Sequence, residues 1–227
     1  PLLRRGADPA EQRRRQPDRD AGQSGGCGAQ AGGDAAARAC ADCRILARSL
    51  SLLSQIAKGN GKLPDAIVLA SEARLAAQHI GDWVGQLSAD FSLAIIYREI
   101  GDHVQAEQTL HQLITTARLH NDHLREADYM FELGMLRLDQ TRHREATSLF
   151  AVAHHAYQEA SDPNALLALN MRAYAHIQLG ELDSAYETAQ HALDVATQTD
   201  HPERSAFLHT FAHICFLKGN LAEAETL

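Results

Sequence analysis

The sequence predicts an all-α protein in which antiparallel helix hairpins stack into a right-handed superhelical solenoid. Short segments that close on an alanine recur at 61–66, 101–106, 141–146, 180–185 and 219–224, so these alanines are 40, 40, 39 and 39 residues apart. Between the segments, apolar residues recur at the three- and four-residue spacing of a helix. A fixed period that holds two helices is typical of a solenoid whose repeats contact only their neighbours.

The first 43 of the 227 residues differ in composition from the rest. They contain no Val, Ile, Met, Phe, Tyr or Trp, whereas residues 44–227 hold every aromatic side chain and all 13 histidines. Such a segment cannot bury enough apolar surface to offset the entropy lost when a chain is ordered. We therefore expect a disordered tail over 1–43 and a repeat domain over 44–227. The tail also resembles GC-rich DNA translated outside a true frame, so we hypothesise that it is not native coding sequence.

The apolar stripes and the turn residues predict the helices in pairs: 44–58 with 63–81, 86–100 with 103–120, 123–140 with 143–160, 164–179 with 182–198, and a fifth pair that begins at 203–218. Glycine at the start of a turn ends one helix, because it tolerates a left-handed backbone. Aspartate at a second marker accepts amide hydrogen bonds where the next helix starts. The second marker comprises Asp82, Asp122, Asp162 and Asp200. Glu203 follows Asp200 at the spacing of a capping box.

The alanine that closes each turn segment has a packing role. Ala146 and its equivalents let the second helix of a hairpin approach the first closely. A larger residue one turn later, Leu110 or Phe150, fills the space against the neighbouring repeat. The count is about four and a half hairpins, and we expect the protein to continue beyond Leu227 because solenoids need capped ends.

This pattern resembles the tetratricopeptide repeat family. The resemblance rests on the glycine-to-alanine turn segments, on Ala192, and on Tyr97 four residues before Gly101. It covers residues 44–227, with a period longer than the family's usual value of about 34. The long period is similar to that of arrays in large bacterial signalling proteins. The resemblance implies a protein-interaction scaffold that forms a regulatory or sensory region of a larger bacterial protein.

Two other functions remain open at this stage. The alternative is the sensor or dimerisation region of a diguanylate cyclase, or of a LuxR-type transcription regulator, whose output domain lies outside this chain. The third is a small-molecule sensor housed in the solenoid, which would show a ligand-dependent melting shift.

Charge and composition argue against several other function classes. Residues 44–227 carry 14 basic and 23 acidic side chains, and an acidic body repels phosphate backbones, so we expect no nucleic-acid partner. No apolar run reaches the length of a membrane span, so we expect no membrane partner. Cysteine usage predicts a cytoplasmic protein. We find no catalytic constellation and expect neither enzymatic activity nor a cofactor in this chain.

Candidate metal and nucleophile sites are incomplete. His209 and His213 lie one helical turn apart and share a face, but no third ligand is evident. Cys40 and Cys43 form a C-x-x-C pair that also lacks partners. Cys215 lies between apolar residues, which predicts a buried structural thiol and not a nucleophile. We therefore expect no metal site.

The sequence places function in a binding groove. In stacked hairpins the first helices line the concave face, and projecting one face of them gives these candidate partner-binding residues: Phe91, Ile95, Arg98, Asp128, Phe131, Met135, Asn170, Tyr174, Ile177, His209 and His213. Apolar anchors with a few polar groups suit an extended peptide or an amphipathic helix of a protein partner. Association into a homo-oligomer is a further option. An error of one helical position would place several of these side chains in the core, and the two placements remain open. A basic clamp of the family's type for an acidic C-terminus would need more than Arg98 and Asn170.

Overall fold

The structure is a computed structural model that describes residues 24–220, with side chains described from residue 42 onward. Within that range it consists of nine helices without a strand, in the order α1 (Ser24–Gly59), α2 (Leu63–His79), α3 (Trp83–Glu99), α4 (His103–Leu119), α5 (His123–Asp139), α6 (His143–Glu159), α7 (Asn164–Leu179), α8 (Leu182–Gln198) and α9 (Arg204–Leu217). Each helix packs against the helices before and after it in the chain. The predicted all-α solenoid of helix hairpins is confirmed.

The odd-numbered helices form the inner layer of the stack. Helix α3 contacts α1 and α5 as well as its sequence neighbours, and α9 contacts α7 in the same way. Helices on the inner side of a curved stack lie closer together than those on the outer side. The odd-numbered helices therefore line the concave face, as the sequence predicts for the first helix of each hairpin.

All nine described helices end in the same backbone motif. A residue with positive φ follows each helix within two residues of its end, and these residues are 19 or 20 positions apart: Gly61, Gly81, Gly101, Asn121, Thr141, Ser161, Gly180, Asp200 and Gly219. At Gly101 the amide donates to the Arg98 carbonyl at 3.0 Å, and the Asp102 amide donates to the Tyr97 carbonyl at 2.9 Å. This pair of bonds is the Schellman motif, which satisfies carbonyls that a helix end would leave unpaired.

The aspartates of the second marker are side-chain caps at two of their four positions, Asp82 and Asp122. The Asp82 side chain accepts from the Gly85 amide at 3.0 Å, and Asp122 accepts from the Arg125 amide at 3.1 Å. Asp162 accepts from the Asn164 amide at 2.8 Å. The first two bonds fix where α3 and α5 begin, whereas Asp162 lies one residue before the cap position of α7, which is Pro163.

The prediction that Asp200 caps the next helix is wrong. Asp200 has φ +49° and takes the left-handed position that Gly81 and Asn121 occupy in earlier repeats. The chain lost one residue of the period before this turn, which moves the capping position to His201. The Glu203 amide donates to His201 Nδ1 at 3.2 Å, so the imidazole replaces the carboxylate.

Helix α1 is about twice as long as the other helices and begins at Ser24, before the start predicted at residue 44. Residues 29–41 hold seven alanines. Alanine has the highest intrinsic helix propensity, which explains why this part of α1 is helical although it has no apolar stripe. The expected disordered tail overlaps α1 at 24–43, and residues 1–23 lie outside the described residues. The domain boundary at residue 44 stays a prediction.

Small residues allow close packing of each hairpin, as predicted. Ala66, Ala106, Ala146 and Ala185 are fully buried, and so are Leu110 and Phe150. Ala224 lies outside the described residues. Gly134 on α5 faces Phe150 so closely that a β-carbon there would lie 2.7 Å from the ring atom Cε1. The Phe150 ring therefore requires glycine on the opposite helix.

A buried guanidinium ties three consecutive helices together. Arg137 on α5 is 5% exposed and donates to Glu107 of α4 at 2.6 Å and to Gln140 at 2.8 Å. Glu145 of α6 lies 3.3 Å from the same guanidinium. Hydrogen bonding from Arg137 lowers the pKa of Glu107 to about 2, with the charge of Arg137 acting in the same direction. This network links adjacent repeats on the side away from the concave face.

Candidate functional site

Three clefts follow one another along the concave face. The largest, about 870 Å³, lies between α1, α3 and α5. A second cleft of about 240 Å³ lies between α1 and α3, and a third of about 210 Å³ lies between α3, α5 and α7. Phe91 lines all three, so they form one groove centred on that ring. We call this feature the concave groove.

The wide end of the concave groove carries positive charge. Arg44 and Arg48 of α1 and Arg125 of α5 line the largest cleft. Arg125 is paired with Asp122. No described carboxylate pairs with Arg44 or Arg48, and both side chains are exposed. Two guanidinium groups one helical turn apart can therefore bind an anionic group without breaking an existing ion pair.

A partly buried carboxylate lies at the centre of the groove. Asp128 lines both the largest and the third cleft, and the Tyr157 hydroxyl donates to its Oδ1 at 2.8 Å. Burial raises the pKa of Asp128, and the hydrogen bond from Tyr157 opposes that shift. Burial and the neighbouring Asp128 carboxylate together raise the pKa of Tyr157. The pair supplies one hydrogen-bonding site in an otherwise aromatic stretch of the groove.

Two aromatic rings of the predicted set divide their surface between groove and core. Phe91 packs against Tyr129 with ring centroids 5.0 Å apart, and Phe131 packs against Phe150 at 5.3 Å. Both Phe91 and Phe131 also line groove clefts and stay partly exposed. Phe91 and Phe131 therefore belong to both the groove and the core: one edge of each ring packs against a neighbouring ring, and the other edge faces the groove.

Arg98 is engaged in ion pairs across the concave face. Its guanidinium lies 2.5 Å from Glu132 and 2.9 Å from Asp139, both on α5. Lys58 and Glu99 form the equivalent pair between α1 and α3 at 3.4 Å. These pairs connect the carboxyl ends of successive odd-numbered helices. Arg98 therefore has a structural role, and it does not line any of the three clefts.

The remaining predicted residues fall into three environments. Ile95 lines the second cleft, and Met135 and Ile177 pack against core clusters while partly exposed. Tyr174, His209 and His213 are exposed on α7 and α9. Asn170 is only 8% exposed, and its Oδ1 has no hydrogen-bond partner in the described structure. A buried acceptor without a partner costs free energy that a donor from a ligand would recover.

The structure adds groove residues that the sequence projection does not include. Arg44, Arg48, Ser51 and Gln55 come from α1, whereas the projection starts at α3. Subtracting one period of 40 from Val84, Ser88, Phe91 and Ile95 gives these four positions. The period applied to Phe91 and Ile95 gives Ser51 and Gln55. Arg44 and Arg48 correspond to Val84 and Ser88, which also line the largest cleft and which the projection does not include.

Among the described residues, no group of three or more His, Cys, Asp or Glu side chains is placed to hold a metal ion. The Cys40 side chain lies outside the described residues, and Cys43 is not in a disulfide. Cys215 is fully buried, as predicted. No helix of the described part is long and apolar enough to cross a membrane.

Comparison with known proteins supports the repeat assignment. The tetratricopeptide repeat model matches residues 166–199, the span of α7 and α8. No curated protein matches the chain by sequence.

Solved structures of similar fold align over most of the chain. A putative kinesin light chain of Podosopora anserina with nearly identical TPR-like repeats aligns with a TM-score of 0.67 and 20% identity, over 81% of this chain and 92% of that one. BtubC (BKLC) from P. vanneervenii aligns with a TM-score of 0.70 and 16% identity, over 85% of each chain. A Rap protein complexed with competence and sporulation factor aligns with a TM-score of 0.68 and 13% identity, over 78% of this chain and 50% of that one.

The predicted resemblance to tetratricopeptide repeats is therefore confirmed for the fold. Helical modules of this kind are typical of protein–protein interaction.

Proposed function

We propose that this stack of tetratricopeptide-like hairpins binds a peptide segment of a partner protein in the concave groove. The observation that carries the proposal is the continuity of three clefts around Phe91. An extended segment can follow such a groove across several repeats, whereas a compact small molecule fills one enclosed cavity.

The chemistry of the groove fits a segment with mixed character. Phe91 and Phe131 offer aromatic surface for an apolar anchor, and anchors of this kind dominate the energetics of most interfaces. The Asp128 side chain, which lines two of the clefts, offers an acceptor for a backbone N–H of the bound segment. Tyr174, Ile177, His209 and His213 extend the same face toward the carboxyl end. A Rap protein of similar fold is known in complex with competence and sporulation factor, which supports ligand capture by this type of stack.

The finer biological role is part of the same proposal. We infer a regulatory or sensory region of a larger bacterial protein, without catalytic residues of its own. The second candidate is the sensor or dimerisation region of a diguanylate cyclase or LuxR-type regulator. The reading frame beyond Leu227 separates the two, because an output domain there favours the second candidate and a single capping helix favours a free-standing adaptor.

The test is peptide selection on the full chain. A display library of random 16-residue peptides is selected on the wild type, and the enriched peptides are measured by fluorescence anisotropy against Phe131→Ala combined with Tyr174→Ala. We expect binding to weaken at least about tenfold with helicity unchanged, because truncation of hot-spot anchors costs about 2–4 kcal/mol. Val152→Ala, at an exposed position of α6, is the matched control. Enriched peptides whose affinity ignores the groove substitutions would contradict the proposal.

A further inference from the structure

Helix α1 carries an apolar stripe that the described structure leaves exposed. Ile45, Leu52, Leu53 and Ile56 follow one face at spacings of seven, one and three residues, and their exposed fractions are 63%, 60%, 49% and 59%. We call these four residues the α1 stripe. Exposed aliphatic side chains are common singly, but an aligned set of four marks a surface that binds something.

The repeat register shows what kind of surface the α1 stripe is. Leu53 and Ile56 are the equivalents of Leu93 and Ile96 in α3, one period later, and those two are 4% and 1% exposed. Ile96 packs in a cluster with Ala66 of α2. In α5, the equivalent Leu133 and Leu136 pack with Leu110 and Leu113 of α4. In both cases this face of an odd-numbered helix receives the even-numbered helix that precedes it. The α1 stripe thus continues an interface that the fold already uses twice.

Within residues 1–220, no other segment has the composition to cover the stripe. Helices α2 to α9 are engaged in the stack in chain order, and residues 24–59 form α1 itself. Residues 1–23 contain Leu2 and Leu3 as their only large aliphatic or aromatic side chains, with six arginines. A covering helix needs apolar residues on three or four successive turns, which this segment lacks.

The charge beside the α1 stripe selects the partner. Arg44 and Arg48 run along one edge of the stripe, Lys58 follows on the same helix, and no Asp or Glu occurs between residues 43 and 64. A second copy of α1 packed against the stripe would bring arginines near arginines and lysine, which disfavours symmetric pairing. A helix with carboxylates along its edge would pair with Arg44 and Arg48 instead.

We propose that the α1 stripe docks an amphipathic helix of a partner protein, acidic along one edge, in the place of the even-numbered helix that would precede α1. This site adjoins the concave groove, since Leu52, Arg44 and Arg48 also line its largest cleft. Docking on the α1 stripe does not depend on peptide capture in the groove. The docked helix extends the stack by one layer, with the same packing that α2 makes on α3.

The test uses a helix of known packing as its probe. A hydrocarbon-stapled, fluorescein-labelled peptide of residues 62–81 supplies the α2 face that covers α3, and a version with Arg74→Glu adds acidity. We expect saturable binding of the Arg74→Glu peptide to the full chain by fluorescence anisotropy. It should bind more tightly than the unchanged peptide and weaken in 0.5 M NaCl, because salt screens exposed charge pairs.

Substitutions in the stripe localise the binding. Leu53→Gln combined with Ile56→Gln keeps helix propensity and removes apolar contact, and should weaken binding at least about tenfold. Arg48→Glu should weaken binding of the Arg74→Glu peptide more than it weakens binding of the unchanged peptide. Val68→Gln combined with Leu75→Gln, at aliphatic positions of α2 that are 56% and 58% exposed, is the matched control and should bind as the wild type does.

Three results would overturn the proposal. The first is no saturable binding of the acidic peptide, or equal binding by the stripe variant. The second result is that the wild type binds vesicles of phosphatidylserine and phosphatidylcholine but no peptide, and that the stripe variant does not bind the vesicles. It would assign the stripe to a membrane surface. The third result is a dimer in sedimentation equilibrium that the stripe substitutions dissociate and that the peptide does not. It would assign the stripe to a second copy of the chain. Phe91→Ala should leave peptide binding at the stripe intact, which separates this result from any failure of the groove proposal.

Discussion

Gly134→Ala should destabilise the wild-type protein but stabilise a variant in which the ring of Phe150 is replaced. In an exposed helix, glycine to alanine gains about 1 kcal/mol of helix propensity. Here the new β-carbon would lie 2.7 Å from Cε1 and 3.0 Å from two further atoms of a fully buried ring. Overpacking of this kind costs about 1–3 kcal/mol. We therefore expect Gly134→Ala to lose about 1 kcal/mol of unfolding free energy in the wild type.

Removal of the outer ring atoms should release that strain. Phe150→Leu keeps an apolar side chain and should cost about 1.5 kcal/mol or less by itself. It deletes Cζ and both Cε atoms of the ring. One of these, Cε1, is the atom nearest to a new β-carbon at Gly134. Of the three close ring contacts only the one at Cδ1 has a counterpart in leucine, whose aliphatic side chain can turn away from the new β-carbon. In the Phe150→Leu background, Gly134→Ala should therefore stabilise the protein by up to about 1 kcal/mol through helix propensity.

The assay is a double-mutant cycle measured by urea unfolding, followed by circular dichroism at 222 nm. The expected coupling between the two sites is about 1–3 kcal/mol, the size of the overpacking penalty. Val152→Ala, at an exposed position on the same helix as Phe150, should change stability by less than about 0.5 kcal/mol. Equal effects of Gly134→Ala in both backgrounds would refute the close packing of α5 on α6 as the reason for glycine at this position.

Three further predictions concern packing and charge. Ala146→Leu should lower the free energy of unfolding by about 1–3 kcal/mol through overpacking, and an unchanged melting curve would place the repeat register elsewhere. Glu107→Gln should cost about 1 kcal/mol at pH 7, an amount discounted because the Glu107 carboxylate is about one-third exposed. The Arg137 contact lowers the folded-state pKa of Glu107 to about 2. The stabilisation by the ion pair is therefore fully present above the unfolded-state pKa of Glu107 and is lost as pH falls through the folded-state value. Urea titrations at pH 7, 4 and 2.5 should show the difference shrink, and a constant difference would count against the ion pair. Asp128→Asn should raise stability at pH 7 by a few tenths to about 1 kcal/mol, because burial raises the pKa of Asp128 and its contribution is lost as pH rises through that pKa. Tyr157 keeps its acceptor in this variant, and a loss of stability in thermal melts would show that the carboxylate charge is needed.

The agreement between predicted and observed helices has a local cause. Each helix from α2 to α8 ends within two residues of its predicted end, because a residue able to adopt positive φ stops it at a fixed spacing. The carboxylates that start α3, α5 and α7 act through bonds two or three residues along the chain. Signals of such short range are legible in the sequence without knowledge of the packing.

The candidate groove was predictable only in part. Phe91, Ile95, Asp128 and Phe131 line its clefts, since helical phase and period place one face of each odd-numbered helix on the concave side. Their division between groove and core depends on the curvature of the stack, which no single repeat encodes. Asp200 shows a second limit of prediction from the period. The repeat is one residue shorter before Asp200, so the capping residue is His201, and the period alone does not show where that residue is missing.

The sequence by itself determined the number, length and order of the helices from α2 onward, because turns and apolar stripes act over one or two helical turns. The tertiary structure decided which carboxylates meet Arg98 and Arg137, since those partners lie on other helices, up to 41 residues away. It decided that Tyr157 bonds Asp128 and that Arg44 and Arg48 stand without carboxylate partners among the described residues. It also decided that the α1 stripe is exposed where its equivalents in α3 and α5 are buried. Burial depends on which helix arrives from outside the repeat, and that is a property of the stack.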